Sequence, residues 1–129
     1  MIVVDTNVVA YLFLEGEFTT PAEALLQHDA EWVAPVLWRS ELRSILAGYL
    51  RRRALTFDQA RSIQAEAESL LAGGEFDVDS ASVLELVRDS DCSAYDCEFV
   101  ALAMYLDTKR VTMDAKLLKP FPKRAVLLV

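Results

Sequence analysis

The feature that most constrains this chain is its opening stretch. Ile2-Val3-Val4 is a short β-branched apolar run that stops at once in Asp5-Thr6-Asn7. Such a run reads as a strand buried on both faces, the kind found at the centre of a parallel sheet. An α/β sheet holds its ligands at the carboxyl ends of its strands. A carboxylate placed just past the first strand therefore stands where a site forms. The simpler role for Asp5 or Thr6 is to cap the helix that follows. What separates the two roles is whether other acids come to meet Asp5.

The remaining elements alternate in the way a parallel sheet requires. Val8–Leu14 is apolar and helical, and Gly16 breaks it. Thr20-Pro21-Ala22-Glu23 has the form of a capping box and opens a helix to about His28. Trp32-Val33-Ala34 reads as a second strand. Leu37 to about Arg53 is a helix with Trp38, Leu42, Ile45, Leu46 and Tyr49 on one face at helical spacing. Glu41 lies on the edge of that stripe, where a carboxylate is half-buried. Thr56-Phe57-Asp58-Gln59 is another capping box, and its helix ends at Gly73-Gly74. Phe76-Asp77-Val78 is a short strand, and Asp79 caps the next helix. Ser93 opens a helix that is apolar nearly all round from Cys97 to Leu106 except at Glu98, the pattern of a central helix. Arg110-Val111-Thr112 is a strand ended by Met113-Asp114, and Ala125–Val129 is a last strand. The expected fold is α/β: a three-layer α/β/α sandwich on a central, mostly parallel sheet, taken as one domain over residues 1–129.

Several functions are excluded by what the chain lacks. Its one histidine, His28, rules against a serine-type triad or a multi-histidine metal site. Cys92 and Cys97 form no CxxC pair and read as reduced thiols. No apolar run approaches a membrane span. Met1 is followed directly by the strand run with no basic leader, so a cytoplasmic protein is expected. The formal net charge of −7 gives no overall attraction to nucleic acid. A nucleic-acid substrate then needs a local basic patch or bound cations, and a basic partner segment also suits the charge.

Four acids draw the elements together. Asp5 follows the first strand, Asp114 follows the Arg110–Thr112 strand, Asp96 lies in the first turn of the central helix, and Glu41 edges an apolar stripe. Each has an ordinary role: Asp96 completing a capping box with Ser93, Asp114 capping a short helix, Glu41 solvated. Four carboxylates gathered at one end of a sheet repel one another and call for a divalent cation. Oxygen ligands without histidine or cysteine favour Mg²⁺ or Mn²⁺. Such a site suits activation of water against a phosphodiester.

At this point the chain resembles the PIN-domain ribonucleases, and in particular the VapC toxins of toxin–antitoxin pairs. The resemblance is carried by Val4-Asp5-Thr6-Asn7, Ser40-Glu41-Leu42, the run from Ser93 to Ala103 containing Asp96, and Val111-Thr112-Met113-Asp114 with Lys116-Leu117-Leu118. It extends over essentially the whole chain. It implies Asp5, Glu41, Asp96 and Asp114 as catalytic, metal-binding acids, with Asn7 and Thr112 as hydrogen-bonding support. It implies endonucleolytic cleavage of RNA, a cognate antitoxin that holds the enzyme inactive, and a homodimer. Two departures stand out: Tyr105-Leu106-Asp107 replaces the family's Ala-Glu, and no acid occurs among residues 115–118. The second leaves the number of metal ions open. Arg51, Arg52 and Arg53 are the candidates for gripping RNA, against the plain role of complementing a helix C-terminus. The alternatives are a non-catalytic pseudo-nuclease that only engages a partner, and a receiver-like Mg²⁺-binding domain. The latter lacks the paired acids at the first strand and a lysine after the last.

Overall fold

The computed structural model describes residues 1–129. Five strands form one sheet in the order β3-β2-β1-β4-β5: β1 (Ile2–Val4), β2 (Trp32–Pro35), β3 (Glu75–Phe76), β4 (Arg110–Thr112) and β5 (Ala125–Leu127). Every pairing is parallel, so the expected mostly parallel sheet is wholly so. β1 is central. Val3 sits in register with Val33 on one side and Arg110 on the other. Both Val3 and Val4 are fully buried, as the unbroken apolar run requires.

Six helices cover the sheet: α1 (Thr6–Phe13), α2 (Thr19–His28), α3 (Trp38–Arg51), α4 (Phe57–Leu70), α5 (Ser80–Arg88) and α6 (Ala94–Tyr105). α1 through α4 pack among themselves, and α5 packs on α6. The main core joins Val3, Val4, Trp38, Leu42, Phe99 and Leu102. α6 contributes six buried residues between Cys97 and Ala103, which is why its sequence shows no polar face.

Local chemistry sets most boundaries. Thr56 and Gln59 form the full reciprocal capping box of α4. Asp79 and Ser93 cap α5 and α6 through the backbone N–H groups of Ser82 and Asp96. After α4, Gly73 takes φ +80° and turns the chain into β3.

Four expectations are corrected. The Thr20 capping box does not form. α2 begins at Thr19, whose hydroxyl instead donates to the carbonyls of Tyr11 and Leu14 and accepts from the Gly16 N–H. The third strand is Glu75–Phe76 rather than Phe76–Val78, because Gly74 O and Phe76 O accept from Ala34 and Val36 and leave Val78 outside the ladder. α1 starts at Thr6, two residues before the apolar run. β5 stops at Leu127. No helix is long and apolar enough to cross a membrane.

Candidate active site

The carboxyl ends of β1 and β4 lie side by side because the two strands pair, and their next acids are Asp5 and Asp114. α3 brings Glu41 and α6 brings Asp96. The four acids line one recess of about 290 Å³ together with Thr6, Asn7, Ser44 and Ile45. Only one of these eight residues is hydrophobic, in contrast to the chain's other hollows.

Asp5 occupies the N-cap position of α1, yet its side chain makes no capping bond. The carboxylate points elsewhere. Asp5 Oδ2 accepts from the Thr112 hydroxyl at 2.7 Å. It also lies 3.2 Å from Nη2 of Arg110. Thr112 Oγ1 in turn accepts from the Asp114 N–H at 3.0 Å, which ties the two strand ends together. Both Asp5 and Thr112 are buried. A buried carboxylate needs such partners, since leaving its lone pairs bare is costly.

Glu41 is half-buried on the edge of α3, and its Oε1 accepts from the Thr6 hydroxyl at 2.7 Å. Burial pushes its carboxyl above the ordinary range. Asp5 and Asp96 push the same way, and the Thr6 hydrogen bond and Arg110 oppose them. Asp96 makes no reciprocal capping bond. Its backbone N–H uses Ser93, and its Oδ1 stands 3.5 Å from Arg110 Nη2. Asp114 Oδ1 accepts from the Lys116 N–H at 3.0 Å and so caps the short 3₁₀ turn of residues Ala115–Leu117.

Asn7 lines the recess and is exposed, but its side chain hydrogen-bonds to none of the acids. Its expected supporting role falls to Thr6, one residue earlier, because the start of α1 turns Thr6 inward toward α3 and Asn7 outward. Thr6 was missed because it read as a cap. The three arginines at the end of α3 do not line the recess. Arg52 lies over the Tyr49 ring at 4.7 Å, and Arg53 ends the helix in a left-handed conformation at φ +56°.

Arg110 was also missed as a site residue. The available signal was a cation opening a strand expected inside the sheet, where it must be paired.

No three of the acids are already arranged as ligands around a common point. The donor set itself fits a hard divalent ion: carboxylate oxygens on four separate elements, with no histidine or thiol among them.

Comparison with known proteins agrees with this architecture. The PIN domain family profile matches residues 2–121. Among solved structures, the chain is similar to FitAcB from Neisseria gonorrhoeae, with a TM-score of 0.76 at 17% identity, covering 97% of this chain and 96% of that one. It is similar to a toxin–antitoxin complex from Klebsiella pneumoniae at 0.70 and 14% identity, covering 100% and 98%. It is also similar to PAE2754 from Pyrobaculum aerophilum at 0.68 and 17%, covering 98% and 90%. A search of curated proteins by sequence finds no significant match.

Proposed function

The chain belongs to the PIN-domain family, and on that premise we propose that it is a Mg²⁺- or Mn²⁺-dependent endoribonuclease acting as the toxin of a toxin–antitoxin pair. One observation carries the reading: Asp5, Glu41, Asp96 and Asp114, from four different elements, line one polar recess at the carboxyl ends of β1 and β4. These four would hold the ion, Asp5 and Asp114 from the sheet and Glu41 and Asp96 from the helices. When bound, the ion supplies an activated water at neutral pH and charge stabilisation at the phosphorus. The protein's own task is positioning. Thr112 fixes the Asp5 carboxylate across the two strand ends, Thr6 fixes Glu41, and the Asp114 N–H bond to Thr112 fixes the turn that carries Asp114. Ser44, on α3 one turn past Glu41, offers a hydroxyl at the recess wall.

RNA as substrate is the reading suggested by the family, and the recess adds a condition to it. An acidic pocket on a protein of net charge −7 repels a polyanion until cations offset it. RNA binding is therefore coupled to ion binding. The test is RNA cleavage with Mg²⁺ or Mn²⁺ by the wild type and by Asp5→Asn and Asp96→Asn. Loss in both variants is expected, and undiminished cleavage in both removes the assignment.

The antitoxin partner rests on the likeness to a toxin–antitoxin complex. A groove of about 420 Å³ between α3 and α4, lined by Leu46, Leu50, Phe57 and Ala60, is the apolar surface offered to an antitoxin or a second copy. Phe57 is 70% exposed there, whereas Trp38 at the start of α3 is wholly buried because it joins the sheet core. Size-exclusion chromatography, alone and with the product of a neighbouring gene, distinguishes the dimer from the complex.

A further inference from the structure

Arg110 has no exposed surface at all. A buried guanidinium has surrendered its water and must be compensated by what surrounds it. Nη1 donates to the backbone carbonyl of Asp96 at 2.7 Å, and the guanidinium carbon lies 4.8 Å from the centre of the Phe99 ring. Nε and Nη2 have no aligned hydrogen-bond acceptor. Nη2 nevertheless sits 3.2 Å from Asp5 Oδ2 and 3.5 Å from Asp96 Oδ1, close enough for ion pairing. The charge is thus balanced by two of the four acids, from beneath the recess.

The carboxylate oxygens are divided accordingly. Asp5 Oδ2 serves Thr112 and Arg110. Asp96 Oδ1 faces Arg110, Glu41 Oε1 serves Thr6, and Asp114 Oδ1 serves the Lys116 N–H. Each acid keeps one oxygen without a protein partner. Four such oxygens with water complete the shell of one six-coordinate ion, and two ions need more.

We propose that Arg110 is a resident cation of the recess, a positioning residue that holds Asp5 and Asp96 together before any metal binds and limits the recess to one divalent ion. The limit of one ion rests on the metal-dependent reading above, whereas the counter-ion role does not. Without Arg110, four carboxylates face one another, Asp96 Oδ1 is released and Asp5 Oδ2 is left to Thr112 alone. A second ion then has ligands, and the first is bound more tightly.

The experiment measures Mn²⁺ binding to the metal-free protein by calorimetry and by the electron paramagnetic resonance of free Mn²⁺, for wild type, Arg110→Met and Arg110→Lys. Wild type and Arg110→Lys are expected to bind one ion. Arg110→Met is expected to bind a second, or the first at least tenfold more tightly. Equal stoichiometry with affinity within twofold in Arg110→Met overturns the proposal, as do two ions in wild type. Melting in EDTA of Asp5→Asn, with Arg110 in place, tests the counter-ion role even where Arg110→Met fails to fold. In a purely repulsive acid cluster, neutralising one acid raises the melting temperature. Here the guanidinium loses its nearest counter-charge, so a fall of several degrees is expected. An unchanged or raised value overturns that role. Wild-type protein that binds no Mn²⁺ defeats the metal-dependent reading and the one-ion limit together, and the EDTA melts still decide the counter-ion role.

Discussion

The Thr112 hydroxyl donates to Asp5 Oδ2 at 2.7 Å across the join of β4 and β1, with both residues buried. Thr112 Oγ1 also accepts from the Asp114 N–H, so one side chain positions both Asp5 and the backbone of Asp114. Thr112→Val keeps the shape and β-propensity of the strand and deletes both bonds. The expected cost is about 1–3 kcal/mol in urea unfolding, the penalty for stranding buried polar groups. Mn²⁺ affinity should fall roughly tenfold or more, as when ligand-orienting partners are lost. Thr112→Ser should restore most of the affinity. Full Mn²⁺ affinity in Thr112→Val would show that Asp5 needs no such orientation.

Glu41 should answer in the opposite sense to Asp5. Burial holds its carboxyl above the ordinary range, so the folded metal-free protein resists ionising it. A raised carboxyl pKa means that this cost is absent at low pH, where Glu41 is protonated in both states. The cost appears as pH rises through the unfolded and then the folded pKa. Glu41→Gln in EDTA should therefore melt above wild type near neutral pH, with the gap closing as the pH falls through the carboxylate range. A gap that widens on acidification contradicts this.

Chelation should separate activity from structure. The core of Val3, Val4, Trp38, Leu42, Phe99 and Leu102 involves no recess acid, and the fold needs no ion to close it. EDTA is expected to abolish RNA cleavage and leave the far-ultraviolet circular dichroism unchanged. Added Mg²⁺ at a hundred times its dissociation constant should stabilise by about 2.7 kcal/mol through linkage. Unfolding on chelation would make the ion structural.

Gly74 marks a close approach far from the recess. A Cβ there would lie 2.5 Å from the Trp32 carbonyl and 3.3 Å from a Val33 methyl. Gly74→Ala should cost roughly 1–3 kcal/mol by forcing β3 away from β2. Cleavage per folded molecule should stay at the wild-type level. A neutral effect on stability would mean that the β2–β3 edge yields freely.

Local signals carried the sequence reading where the physics is local. The β-branched run before Asp5, the Thr56–Gln59 box and the Ser93 cap each use contacts within a few residues, and each is where the pattern put it. The Thr20 box had the right letters, but Thr19 found better use bridging the α1–α2 loop. The four acids were legible because each follows a strand, opens the central helix or edges an apolar stripe. Their partners were not, because Thr6 reaches Glu41 across 35 positions and Arg110 reaches Asp5 across the sheet. No spacing rule reports such pairs.

The central place of β1 has a consequence for the order of events during synthesis. Its residues leave the ribosome well before those of β4, yet one of its two pairing edges waits for β4, and Thr112 meets Asp5 only after 107 further positions. Non-local parallel pairing of this kind is slow to nucleate. A nascent chain short of β4 carries Asp5, Glu41 and Asp96 without Asp114, Thr112 or Arg110, and so presents an incomplete recess in which nothing fixes the Asp5 carboxylate. The complete recess therefore forms in a single late step, and fragments released early by interrupted translation lack it.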